Sequence, residues 1–125
     1  MPETAEITAV VNDYIAVWNE PDPVRRQQLI ARTWSEDGTY LDPLMRGDDP
    51  EQIGAMVGAA QAQFPGHRFE LTAGPDAHND VVRFTWTLVA VDSGAPAAVG
   101  VDFATVAPDG RLRNVTGFLE PAAAA

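Results

Sequence analysis

The dominant period of the apolar residues changes at Pro65-Gly66, and that change constrains the fold more than any other feature. Before it, apart from one short stretch, the apolar side chains recur at helical spacing; after it they alternate. Ile7, Val10, Val11, Tyr14, Val17 and Trp18 make one face of a helix, which Asn19-Glu20-Pro21 stops because proline disfavours helix in the residue before it. Asp22-Pro23 restarts the chain as N-cap and first residue of a shorter helix, from Val24 to about Trp34. Its expected inner residues are Val24, Leu29, Ile30 and Trp34, with Arg25, Arg26 and Gln27 in solvent. Asp48 or Asp49, followed by Pro50 and Glu51, opens a third helix with Ile53, Met56, Val57, Ala60 and Phe64 on its inner face. Gly54 and Gly58 within it read as close packing or thin cavity wall.

Between the second and third helices, Ser35-Glu36-Asp37-Gly38 reads as a turn into a short alternating strand, Thr39 to Met45. Beyond Gly66 come Phe69 and Leu71 on one strand, a turn at Gly74-Pro75-Asp76, and a long strand from about His78 to Val91. A strand from Ala97 to Val106, a hairpin at Pro108-Asp109-Gly110 and a last strand from Arg111 to Glu120 complete the chain. Three helices interrupted by a short strand, then a four-strand antiparallel meander, imply an α+β fold with helices on one face of a strongly curved sheet. At 125 residues this is one domain spanning 1–125, with an ordered core over about 4–120. Such a layout encloses a cone, and an unfilled cone is a ligand pocket.

Charge narrows the partners. The net charge is −10, and all eight basic residues are arginines scattered along the chain. Nucleic acid and anionic membranes are poor partners for such a surface. With no cysteine, disulfides, thiolate metal sites and cysteine nucleophiles are excluded. The first residues lack the basic-then-apolar pattern of a signal peptide, and no apolar run approaches the ~20 residues that span a bilayer, so a cytoplasmic location is the expectation.

Alternation also sorts side chains between the two faces of the sheet. Val82, Phe84, Trp86 and Leu88 share the apolar face that should meet the helices. On the next strand Gly100, Asp102, Ala104 and Val106 share one face, and Val99, Val101, Phe103 and Thr105 the other. Both of its faces are largely apolar, which a second protomer against the outer face would explain. Asp102 stands out, since an aspartate in such a run is either structural, paired with Arg83 or backbone, or a functional pocket carboxyl. Asp42, between Leu41 and Pro43, is either a turn-former or a carboxylate among apolar groups suited to a general base.

Ile7 to Asn19, Thr39-Tyr40-Leu41-Asp42-Pro43 and Gly100-Val101-Asp102-Phe103 together resemble the NTF2-like superfamily, and within it the ketosteroid-isomerase and SnoaL-like polyketide-cyclase branches. The resemblance covers about Ile7 to Glu120. It implies that Tyr14 and Asp102 donate to one substrate oxyanion while Asp42 moves the proton; the cyclase pattern instead makes Asp102 the acid/base group. Trp18, Met45, Met56, His78, Phe84, Trp86 and Phe118 are the expected substrate-binding residues. His78 is placed at the rim by the parity of its strand. The implied activity is a cofactor-independent isomerase or cyclase that enolises a small apolar carbonyl compound, so no metal site and no organic cofactor are expected. Two alternatives stand beside it: a binding module for a small hydrophobic ligand, and a dimerisation domain whose cone is filled by Trp18, Trp86, Met56 and Phe118. A homodimer through the outer face that carries Val101 and Phe103 is expected.

Overall fold

The structure, a computed structural model, describes residues 4–120. Helices α1 (Thr4–Asn19), α2 (Pro23–Thr33) and α3 (Pro50–Gln63) cover one face of a six-stranded sheet. Its strands are β1 (Trp34–Leu41), β2 (Arg46–Gly47), β3 (His67–His78), β4 (Val81–Ala90), β5 (Pro96–Val106) and β6 (Leu112–Glu120), arranged β2-β1-β6-β5-β4-β3. Strands β3 to β6 form the antiparallel meander, and β1 joins it by pairing parallel to β6.

Two of the helix starts follow directly from sequence. The Asp22 carboxylate accepts from the Arg25 amide at 3.0 Å and Asp49 from the Gln52 amide at 2.8 Å, each with proline in the first turn. The end of α2 differs from expectation. It stops at Thr33, and Trp34 is extended (φ −98°, ψ 145°) and begins β1. The inner face of α2 also differs. Val24 is 67% exposed, whereas Arg26 is buried. Arg26 donates from Nε to the Glu20 carbonyl and from Nη2 to the Pro21 carbonyl and Gln61 Oε1, at 2.9–3.0 Å. A guanidinium satisfied in this way is buried at tolerable cost. The glycines of α3 make room for side chains of α2: a Cβ at Gly58 would stand 3.0 Å from Arg26 Nη1, and one at Gly54 only 2.3 Å from Gln27 Oε1.

Two expected turns are irregularities inside strands. Ser35 to Gly38 lies within β1, where the register with β6 jumps between Trp34 and Thr39. Gly74-Pro75-Asp76 lies within β3, where the register with β4 shifts twice between Leu71 and Asp76. Gly74 has φ +84°, and a Cβ there would meet the Arg83 carbonyl at 2.9 Å, so this irregularity requires glycine. The hairpin itself closes at Asn79-Asp80, where Asn79 takes φ 53°, a conformation asparagine tolerates better than most residues. Bulges of this kind bend the strand and increase its twist, which is how the sheet wraps round the helices.

The core lies between the layers. Ile7, Val10, Val11, Tyr14, Val17 and Trp18 of α1 are all buried, as are Val82, Phe84, Trp86 and Leu88 of β4. On β5 the buried set is Gly100, Asp102, Ala104 and Val106, while Phe103 on the other face is 43% exposed.

Candidate functional site

An apolar cavity of about 90 Å³ opens between α1, the end of α3 and the inner face of the sheet. Tyr14 and Trp18 reach it from α1, Ala60 and Phe64 from α3, and Phe69, Trp86, Leu88 and Leu119 from the strands. Tyr40, Asp42, Leu44 and Met45, from the end of β1 and the loop after it, line it too. No arginine or histidine lines it. Asn19 fixes α1 to β3: its side chain donates to the Phe69 carbonyl at 2.9 Å and accepts from the Phe69 amide at 2.8 Å.

Polar groups gather at the sheet side of the cavity. Tyr14 donates its hydroxyl proton to Asp102 Oδ2 at 2.5 Å, and Tyr40 donates to Asp42 Oδ2 at 2.6 Å. These two tyrosine–aspartate pairs meet over Gly117, which faces Asp102 across β5 and β6. A Cβ at Gly117 would lie 2.7 Å from Asp102 Oδ1, 3.3 Å from Asp42 Cβ and 3.3 Å from the Tyr40 hydroxyl oxygen. The bare glycine backbone is therefore what lets the two pairs approach each other.

The two carboxylates have different surroundings. Asp102 is fully buried, and its Oδ1 has no hydrogen-bond partner among the described residues. Burial pushes Asp102 up from 3.8 to about 6, against the pull of the Tyr14 hydroxyl and the Trp86 indole, and the nearby Asp42 charge adds to the rise. Asp42 is only half-buried, and both of its oxygens are engaged. Oδ1 accepts from the Leu44 and Met45 amides at 2.8 Å each, and Oδ2 from Tyr40. Asp42 thus forms the turn after β1 and lines the cavity as well. Burial and then the Asp102 charge hold both tyrosine hydroxyls well above 10, so Tyr14 and Tyr40 remain proton donors. Trp18 Nε1 is a further buried donor without a partner.

The residues singled out in the sequence fall into three groups. Tyr14, Asp42, Trp18, Met45 and Trp86 line the cavity; Asp102 is fully buried outside the lining and is joined to it by its hydrogen bond from Tyr14. Met56 and Phe84 are buried in the core rather than in the cavity wall, with the Phe84 ring 5.1 Å from Tyr14. His78 and Phe118 are elsewhere. His78 is exposed at the β3–β4 hairpin beside Asn79, because β3 runs on past Gly74 and ends there. Phe118 is 56% exposed and packs edge-on against Phe103, since Gly117 takes the inward parity on β6. Phe118 therefore does not fill the cone. Tyr14 and Asp102 are hydrogen-bonded to each other. Sequence reading missed Tyr40 and Gly117. The alternation that aligns Tyr40 with Asp42, and Gly117 with Val115, was the available signal.

The sequence model of the SnoaL-like domain matches residues 11–115. The chain belongs to the SnoaL-like family. A crystal structure of a candidate isomerase of this family, from Agrobacterium tumefaciens str. C58, is 40% identical and superposes with a TM-score of 0.88, covering 94% of this chain and all of that one. A SnoaL-like protein of unknown function from Burkholderia thailandensis E264 matches at 18% identity and a TM-score of 0.74, over 97% of this chain and 100% of that one. A candidate polyketide cyclase from Sinorhizobium meliloti matches at 16% identity and 0.67, over 87% and 93%. The last two are likenesses of fold. No curated protein matches the chain. Among the described residues of this SnoaL-like chain, no cluster of three His, Cys, Asp or Glu could hold a metal ion, and no helix is long and apolar enough to cross a membrane.

Proposed function

We propose that this SnoaL-like protein is a cofactor-independent acid/base catalyst that enolises a small apolar carbonyl compound, with Asp102 as the group that carries the proton. The observation that supports it most is the free Oδ1 of Asp102. It is a buried carboxylate oxygen without a partner, in a group whose proton affinity burial has moved toward neutrality. Asp42 suits the base role less well, because three donors already occupy its oxygens. This division of labour follows the SnoaL-like cyclase pattern rather than that of the ketosteroid isomerases.

In this reading the Asp102 carboxylate removes a proton from the carbon beside the substrate carbonyl. The C–H electron pair forms the enolate double bond, and negative charge develops on the carbonyl oxygen. The Trp18 indole N–H, buried and unpartnered, is the donor available to that oxygen. Tyr14 fixes the orientation of Asp102, and the Tyr40–Asp42 pair closes the polar side of the cavity. Asp102 then returns the proton to another carbon in an isomerisation; in a cyclisation the enolate carbon attacks a second carbonyl, whose C=O π electrons move to its oxygen, and that alkoxide takes the proton from Asp102. The apolar walls keep out the water that would solvate the carboxylate and weaken it as a base.

The test is a screen of enones and β-keto compounds with the wild type, Asp102→Asn and Asp42→Asn. Loss of about 100-fold in turnover is expected for Asp102→Asn, and less than about tenfold for Asp42→Asn. A substrate turned over equally fast by Asp102→Asn would exclude Asp102 as the proton carrier. A protein that binds such compounds and turns over none of them is a binding module.

A second copy is the partner that best fits the outer sheet face, where the exposed Phe103 and Phe118 rings pack 5.8 Å apart. Sedimentation of the wild type as a dimer, and of Phe103→Glu as a monomer, is the expected result. A monomeric wild type would refute the dimer.

A further inference from the structure

One ring governs the size of the cavity. Trp86 on β4 and Gly100 on β5 are cross-strand partners on the inner face of the sheet. A Cβ built on Gly100 would stand 2.2 Å from Trp86 Cζ2, 2.4 Å from Cε2 and 2.8 Å from Nε1. The indole therefore rests directly on bare backbone, in space that any other residue at 100 would need. On another side the ring meets Phe69 edge-on at 5.2 Å, and Phe69 in turn meets Trp18 at 5.4 Å. Trp86 is thus held by backbone on one side and by an aromatic row on another, and the opening left over is the cavity.

That opening is small. An apolar cavity of about 150 Å³ accepts one benzene ring. On that scale the cavity here, about 90 Å³, holds roughly four non-hydrogen atoms. A steroid or a polycyclic polyketide cannot lie inside it. Among the described residues its lining carries Asp42 and no basic side chain, and Asp102 is hydrogen-bonded to the lining Tyr14, so an anionic group would be repelled and left unpaired.

We propose that Trp86, seated on Gly100, is the size-selecting residue of this cavity and confines the reacting end of the ligand to an uncharged, carbonyl-bearing group of about four non-hydrogen atoms. Any remainder of the ligand leaves through the mouth beside Leu44, which is 76% exposed, and Phe64. The inference rests on the carbonyl-compound reading above and adds to it a size limit and the residue that sets it. It also assigns opposite effects to the two partners. A shorter side chain at 86 deepens the cavity, whereas a methyl group at 100 lifts the indole into it.

The experiment measures binding rather than turnover. Butanone, cyclohexanone and 2-tetralone are titrated into 15N-labelled wild type, Trp86→Leu and Gly100→Ala, and the indole N–H resonance of Trp18 reports occupancy. Wild type is expected to bind butanone and to reject 2-tetralone. Trp86→Leu is expected to shift that preference toward the larger ketones by about tenfold or more, and Gly100→Ala to weaken butanone by a similar factor. Should Trp86→Leu fail to fold, Trp86→Phe and Gly100→Ala carry the same comparison. Wild type that binds butanone, beside a Trp86 variant and a Gly100→Ala with unchanged size preference, would overturn this inference and leave the carbonyl reading standing. Failure of all three ketones to bind any of the proteins would overturn both.

Discussion

Replacing Asp102 with asparagine is expected to stabilise the protein at neutral pH while removing its proton carrier. Asp102 is fully buried, one of its oxygens has no partner, and burial pushes it up from 3.8 to about 6. Between those values the folded chain keeps a proton that the unfolded chain has released. Stability from this group is therefore fully present below about pH 4 and is lost as pH rises through about 6. The displacement is worth about 3 kcal/mol at pH 7 and well under 1 kcal/mol at pH 4. Asparagine is uncharged at every pH and still accepts from Tyr14 through its carbonyl oxygen, so it removes this dependence with little change of shape. Urea unfolding of both proteins between about pH 4 and pH 7, at constant ionic strength, measures the effect. Subtracting one curve from the other cancels the remaining carboxylates. The advantage of Asp102→Asn is expected to grow by about 2 to 3 kcal/mol from the acid to the neutral end, with an unchanged denaturant slope. A difference independent of pH would refute the view that burial makes Asp102 hold its proton more tightly in the folded chain than in the unfolded one.

Two further substitutions probe the same cluster. Tyr14→Phe keeps the ring packing but removes the donor to Asp102, so it should cost about 2 to 3 kcal/mol at neutral pH, where the acceptor is charged, and about 1 kcal/mol near pH 4. Chemical unfolding at the two pH values measures both. Gly117→Ala places a methyl carbon where Asp102 Oδ1 and the Tyr40 hydroxyl oxygen now approach, at 2.7 and 3.3 Å, and should cost about 1 to 3 kcal/mol. It should also reduce turnover of any substrate found by about tenfold or more, because the free oxygen of Asp102 is displaced. Kinetics and urea unfolding on the same preparation separate the two effects.

How much of this was legible in the sequence depended on what each residue answers to. Element order was legible because apolar periodicity records which face is buried, and Asp22 and Asp49 with their following prolines marked two helix starts. The inward face of β4 and β5 could be read because both strands keep strict alternation over the stretch that holds Asp102. Arg26 was misplaced because composition alone puts arginine in solvent, whereas the carbonyls at Glu20 and Pro21 offered it an interior site. Gly74-Pro75 looked like a turn because a glycine with positive φ serves a turn and a bulge equally well. Phe118 lies outside the cavity because Gly117 takes the inward parity on β6, a choice that two neighbouring apolar positions at the strand end leave open in the sequence. The role of Gly117 itself depends on two strands meeting across the sheet, which no local pattern records.

The central claim is that Asp102 transfers a proton to and from a carbon beside a carbonyl. Hydrogen–deuterium exchange at that carbon reads this step without knowledge of the natural substrate. Butanone in D2O with the wild type is expected to lose its α-proton NMR signals faster than in buffer alone, and Asp102→Asn is expected to slow that exchange by about 100-fold. Exchange no faster than buffer in a ketone that occupies the cavity, or equal exchange in wild type and Asp102→Asn, would contradict the account.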